Sequence, residues 1–359
     1  MYFTTQKNYW QYLRRMRSAP PSSTRGSDAR RGTFSAALEQ AEQLYVAASR
    51  VDMESKPILL YYGIYQAGRA IAAVNPDAAA PWQLQGHGLK APGLSERDRT
   101  ERVLRANLLD GVIRGTGRAH EAFPNIAKIL NSPDLTCEVQ LGDLVALLDE
   151  SRTRTKTQEG VFFTPLKDKP APLGVSIETV SAANGLDIVS LYGFPQSILK
   201  AANFTNEVSN YLRLYFPQFS EDWTVHGVNG HNSIGRRGWV SVTRRVVHEV
   251  SADLFKSYDP EVAQLEKELR VRRPYYSFDS ITEPTLPDQG KSVHRLCLWW
   301  AILFQLSMVA RYAPNAWTDD LNVDLSALAV GLEQLLELSL EEVPRIVVEV
   351  VEGIEGEVE

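Results

Sequence analysis

The sequence predicts a mainly helical α+β protein. Its N- and C-terminal helices pack together, and a small, mostly antiparallel sheet region lies between them in sequence. Three observations predict this. Residues 56–74 form a helical stretch that is apolar on nearly every side. Residues 292–313 form a second one, with Leu296, Leu298, Trp299, Trp300, Ile302, Leu303, Phe304, Leu306 and Met308. A helix that is apolar all round is wrapped by neighbours, so each stretch is a natural partner for the other. Between them, residues 160–250 carry β-branched and aromatic runs separated by Pro, Gly and Asn, which is strand chemistry.

Bulk properties narrow the class. A chain of 359 residues with 44% hydrophobic and 23% charged residues is globular and too long for one small core. A net charge of −6 argues against coating nucleic acid by charge alone. Cys137 and Cys297 lack metal-ligand spacing and read as reduced core cysteines of a cytoplasmic protein. The N-terminus has no signal-type apolar core, and Leu296 to Ala310 is too short and too interrupted to span a bilayer.

In chain order, residues 6–17 predict a short amphipathic helix and 18–32 a mobile Ser/Pro/Arg/Gly loop. Arg14, Arg15, Arg17, Arg25, Arg30 and Arg31 make this region basic, which suits a solvated loop or an anion or RNA contact. Thr33 then caps a helix over 34–50, with Phe34, Ala37, Leu38, Ala41, Leu44, Tyr45 and Ala48 as its stripe. The apolar helix from Lys56 follows, with Ser55 as N-cap and Pro57 in its first turn. Small residues Gly63, Ala67, Gly68 and Ala70 allow close approach, and Asn75-Pro76 ends the helix.

A charged helix over 95–105, a strand over 108–113 and helices over 121–130 and 140–148 come next. Residues 151–159 read as a polar linker. Strands are expected at 161–163, 174–180, 186–192, 223–228 and 238–250, with one helix over 196–215 among them. A charged helix at 259–269 and a proline-rich loop at 274–290 lead to the second apolar helix. Helices over 325–338 and 342–351 close the chain. The regional division is 1–150 N-terminal helical, 151–258 mixed α/β, and 259–359 C-terminal helical packing on the first.

Tyr61-Tyr62-Gly63 on the apolar helix, then His87-Gly88-Leu89, then LSMVARYAPNAW from Leu306 to Trp317, together resemble the YaaC-like proteins of bacteria. The resemblance covers roughly residues 6–345. It implies a bacterial cytosolic protein, supports treating both helical ends as parts of one fold, and brings no activity with it.

Four groups of residues offer chemistry. Tyr62, Arg69, His87, Arg311, Tyr312 and Trp317 lie at the ends of the two apolar helices. Polar groups there are paired or bind something. They form either a pocket for a small anionic or nucleotide-like ligand or an internal hydrogen-bond network. Arg69, a charge in so apolar a helix, predicts a buried carboxylate or a bound anion. Arg114 and His120, in RGTGRAH, match an Arg–x5–His spacing similar to that of HEPN-type ribonucleases. There the His would act on a ribose hydroxyl and the Arg would stabilise phosphate charge. His226 and His231, in a glycine-rich loop with Arg236 and Arg237, suit a hairpin turn, or a metal or phosphate site, although His–x4–His in a loop is not a zinc pattern. Arg244 and His248 share one face of a strand, and Arg245 lies between.

No acidic–His cluster marks a metal, and no P-loop or dinucleotide fingerprint marks a cofactor. The expected function is a non-catalytic binding or interaction protein of the cytoplasm, in a stress or defence setting. Its partner is a protein or a small anionic, nucleotide-like ligand, with no membrane involved. The alternative is a HEPN-like, metal-independent RNase using Arg114 and His120, and only that reading takes RNA as partner.

Overall fold

In the computed structural model the two apolar stretches form helices and pack on each other. The structure describes residues 3–77, 81–94, 108–148, 175–183, 186–192, 194, 196–199, 201–216, 219, 222–229, 239–245, 280–282, 285–286 and 292–356. The helices are α1 (Phe3–Ser18), α2 (Asp28–Ala48), α3 (Lys56–Val74), α4 (Ala122–Ile129), α5 (Leu141–Ala146), α6 (Gln196–Leu199), α7 (Phe204–Tyr215), α8 (Arg295–Tyr312), α9 (Pro314–Leu321) and α10 (Ala329–Gly356). The strands are β1 (Leu89–Lys90), β2 (Val112–Gly115), β3 (Val139–Gln140), β4 (Val175–Ala183), β5 (Leu186–Tyr192), β6 (Trp223–Asn229), β7 (Trp239–Arg245) and β8 (Ser280–Thr282). Two compact units result: Met1–Thr164 with Val293–Glu359, and Pro165–Ser292. The expected helix over 95–105, the linker and strand over 151–163, the helix at 259–269 and most of the 274–290 loop lie outside the described residues.

The first unit is built on α3, which packs against α2, α4, α8 and α10. Two glycines permit this. A Cβ at Gly63 would stand 2.5 Å from the ring of Tyr45 on α2, and one at Gly68 would stand 2.2 Å from the ring of Trp300 on α8. Both rings are fully buried. Asn75, extended ahead of Pro76, ends α3 as its sequence requires. Ser55 occupies the N-cap position but makes no side-chain cap; the Asp52 carbonyl instead accepts from the Ser55 and Lys56 amides. Lys56 is buried, and its ammonium pairs with Glu337 of α10. At the other end of α8, His294 caps the helix by accepting from the Leu296 amide at 3.1 Å.

Several elements depart from expectation. α2 begins at Asp28, because Ser27 caps it and an acid in the first turn suits the helix N-terminus. The expected mobile loop is therefore mostly helix and a short 3₁₀ turn at Ser22–Thr24. Of its basic residues only Arg30 is buried, donating to the Asn75 carbonyl at 3.0 Å; Arg14 pairs with Glu42 and Arg17 with Glu39 at 2.7 Å, and Arg14, Arg15, Arg25 and Arg31 stay exposed. Residues 108–110 make a 3₁₀ turn, and the strand follows at Val112–Gly115. Residues 196–215 form two helices, broken where Asn203 leaves helical space and its carbonyl starts α7. The two expected C-terminal helices are one, α10, running through Pro344. An interior proline costs about 3 kcal/mol. Leu332, Leu335, Leu336, Leu340, Val343, Ile346, Val347 and Val351 are buried on both sides of it, at roughly 1.5–3 kcal/mol each. Continuity wins. Cys297 is a core residue, but Cys137 is exposed.

The small sheet of the first unit is antiparallel, ordered β1-β2-β3. In the second unit, five antiparallel strands run in the order β6-β7-β5-β4-β8. Val189, Leu191, Val240 and Val242 of its sheet share a core with Val208, Tyr211, Leu212 and Tyr215 of α7. No single described helix is long and apolar enough to cross a membrane.

Two outcomes follow from this packing. Gly68→Ala should lower unfolding stability in urea by about 1–3 kcal/mol through overpacking on Trp300. Gly32→Ala, in α2 with no atom within 4 Å of the added Cβ, should raise it by about 0.5–1 kcal/mol. Equal effects would refute the close crossing. Burial also lowers the pKa of His294 from 6.5 to about 4. The unfolded chain therefore takes up a proton between those values that the folded chain does not. The stability contributed by neutral His294 is present in full well above pH 6.5 and is lost, by about 3 kcal/mol, as pH drops to 4. His294→Asn keeps a capping acceptor and should flatten that part of the pH profile.

Candidate functional site

The site forms where the burial of α3 and α8 stops. On α3 the residues not fully buried are Ile58, Leu59, Tyr62, Tyr65, Gln66 and Arg69, one stripe at helical spacing. On α8, unbroken burial runs to Ser307, and beyond it Met308, Arg311 and Tyr312 reach solvent while Val309 stays buried. The chain from Gly86 to Lys90 passes beside these ends.

His87 is held on two sides. Its Nδ1 hydrogen-bonds the hydroxyl of buried Tyr61 at 2.8 Å. Its ring packs among Tyr61, Tyr62 and Tyr65, with centroids 5.7, 6.4 and 5.9 Å away. Its carbonyl accepts from the Phe123 amide at 3.2 Å, and the next carbonyl accepts from Thr116. Gly88 makes that clamp possible. Its φ is +79°, and a Cβ there would stand 2.4 Å from Pro124. Partial desolvation, then the charge of Arg311, push the imidazole below its ordinary pKa; Glu121 opposes them.

Arg311 occupies the last turn of α8, where a helix favours a cation. Its Nε donates to the Ser307 carbonyl at 3.2 Å, and another nitrogen reaches the Tyr62 hydroxyl at 3.4 Å. The guanidinium lies 5.2 Å from the centre of the Tyr312 ring.

Across from it stands the β1–β2 pair, whose register sets Lys90 directly opposite Arg114. Directly opposed like charges destabilise a strand pair. Glu138 approaches Arg114 only to 4.0 Å, and both side chains are exposed. Together these elements enclose a cleft of about 430 Å³. Lys90, Arg114, Arg311 and His87 supply its polar wall, and Leu89, Ala91, Pro92, Phe304, Met308 and Tyr312 the rest. No described carboxylate lines it.

Of the sequence-derived residues, Tyr62, His87, Arg311 and Tyr312 thus come together, and Arg114 joins them from the other candidate pair. His120 does not. It sits on an exposed turn ahead of α4, outside the cleft lining, while Arg114 is on a strand. Arg69 is half-buried and donates to Gln66 Oε1 at 3.2 Å on its own helix. No ion pair joins it to a described carboxylate. Trp317 is buried, and its indole N–H donates to the Met53 and Glu54 carbonyls, which ties α9 to the turn before α3. Lys90 escapes sequence reasoning, because only the pairing of a two-residue strand places it opposite Arg114.

In the second unit, His226 lies exposed on β6 with Nε2 against Thr243 Oγ1. The Arg244 guanidinium stands 5.0 Å from the Trp223 ring. His231, Arg236, Arg237 and His248 lie outside the described residues. Among the described residues, no group of three His, Cys, Asp or Glu side chains could hold a metal.

The family model described as YaaC-like Protein matches residues 1–351. No curated protein and no solved structure matches the chain.

The electrostatics of His87 can be checked directly. Its ring protons should titrate by NMR with a midpoint below 6.5. Arg311→Gln should move that midpoint upward by removing the neighbouring charge. A midpoint unmoved by that substitution would separate the two groups in solution.

Proposed function

The chain belongs to the YaaC-like family, and we propose that its first unit is a non-catalytic binding module for a small phosphate-bearing anion. One observation carries this reading: Lys90 and Arg114 face each other across β1 and β2, and Arg311 completes the same cleft without a carboxylate in its described lining. Three cations gathered in a partly apolar cleft repel one another in the empty state. An anion reverses the sign of that energy. The lowered pKa of His87 fits such surroundings, since partial desolvation and then the charge of Arg311 disfavour its protonated form. Tyr61 and the backbone clamp hold the imidazole at the cleft wall, ready to meet a ligand with its other nitrogen.

The alternative, a metal-independent RNase using Arg114 and His120, draws support from Arg114 alone, since His120 is not in the cleft wall.

Inorganic pyrophosphate is a simple probe. At about 100 times its Kd it should stabilise the folded chain by about 2.7 kcal/mol, a rise of several degrees in Tm. Arg114→Ala combined with Arg311→Ala should abolish the rise, and raising NaCl to about 0.5 M should shrink it. No rise in the unaltered chain, or an equal rise in the double variant, would refute the anion site.

A further inference from the structure

We infer that the ligand of this cleft is a nucleoside diphosphate, its phosphates held between Lys90, Arg114 and Arg311 and its base laid against Tyr312. The inference rests on the anion-site reading above and goes further by naming the ligand class. Three features lead to it.

The cations come from a strand pair and a helix. Lys90 and Arg114 stand as a cross-strand pair, and Arg311 stands on the last turn of α8. Two phosphates in series can be met from both sides, where one phosphate would leave part of the positive charge unanswered. Arg114 also keeps Glu138 at 4.0 Å, so its charge is only partly offset from within the protein.

The remaining wall is apolar and aromatic. Phe304, Met308 and Tyr312 line the α8 side, and Leu89, Ala91 and Pro92 the strand side. Inorganic phosphates would leave this surface uncovered. Tyr312 is among the few exposed large hydrophobic residues described, at 37%. Its neighbour Arg311 stands 5.2 Å from its ring centre, so charge recognition and a stacking surface adjoin. Bases stack on aromatic rings with a gain of about 1–3 kcal/mol, whatever their sequence.

The size selects a single unit. At about 430 Å³ the cleft lies in the lower part of the range for small-molecule sites, which run from about 300 to 1,000 Å³. It admits one nucleotide rather than a strand. The net charge of −6 also disfavours a nucleic acid.

Isothermal titration of the full chain in EDTA, with ADP, GDP, UDP and CDP, their monophosphates and pyrophosphate, tests this. At least one nucleoside diphosphate should bind about tenfold tighter than both its monophosphate and pyrophosphate. Tyr312→Ala should weaken that nucleotide about fivefold or more, while leaving pyrophosphate within about twofold. Tyr312→Leu keeps apolar bulk without a π face and should show the same split; an unchanged Tm in either variant secures the comparison. Lys90→Ala should weaken both ligands. Pyrophosphate binding as tightly as all four nucleotides, or losing as much as they do in the Tyr312 variants, would overturn the base slot and leave the anion site standing. Monophosphates matching diphosphates would overturn the diphosphate assignment. Binding by none of these compounds would overturn both readings.

Discussion

The close crossing of α3 with its neighbours is the constraint on which the first unit depends. Gly63 and Gly68 remove two side chains where α3 meets Tyr45 and Trp300. The rings fill the space that a Cβ would take. Gly in a helix costs roughly 0.5–1 kcal/mol relative to Ala, whereas a fully buried large apolar side chain contributes roughly 1.5–3 kcal/mol. Two glycines that admit two large aromatic rings therefore yield a net gain. The crossing also brings Tyr61 against Phe304, with ring centroids 5.4 Å apart, and so joins the two helices beneath the cleft.

The cleft is a by-product of how this core ends. Tyr61 is buried and Tyr62 is not, and on the last turns of α8 Met308 and Arg311 reach solvent while Ser307 and Val309 stay buried. Just there the chain from α3 returns over the helices as Gly86–Lys90, clamped by the amides of Thr116 and Phe123. Rigid elements thus fix His87, Lys90 and Arg311, while each keeps part of its surface in water. Such a wall needs little rearrangement to meet a ligand, which lowers the entropic cost of binding.

Much of the helical frame is legible in the sequence, because helical periodicity and caps are local. The stripe of α2, the apolar faces of α3 and α8, and the stop at Asn75-Pro76 can all be read from neighbouring residues. What escapes is decided over distance. Pro344 marks a helix end by local rules, yet tertiary burial carries α10 through it. Arg14 and Arg17 of α1 have no carboxylate partner nearby in sequence; α2 supplies Glu42 and Glu39. Trp317 carries a polar group that resembles a site member, but its N–H is satisfied by backbone before α3. Lys90 and Arg114 are 24 positions apart on strands too short to show alternation. Tyr62, His87, Arg311 and Tyr312 can be singled out as polar groups where apolar helices end, without any sign of how they would be arranged.

The insertion of the second unit, Pro165–Ser292, between the two parts of the first has a consequence during synthesis. α3 is complete at Val74, and its partner α8 begins only at Arg295. At about 5–20 residues per second, that gap lasts roughly 10–45 s. Throughout it, α2 and α3 can pair, but the face destined for Trp300 and Phe304 has nothing to cover it. The inserted unit, whose strands pair within one continuous segment, can fold in that interval. The first unit must wait, and until α8 emerges that apolar face of its nascent N-terminal hairpin stays open to aggregation or to a chaperone.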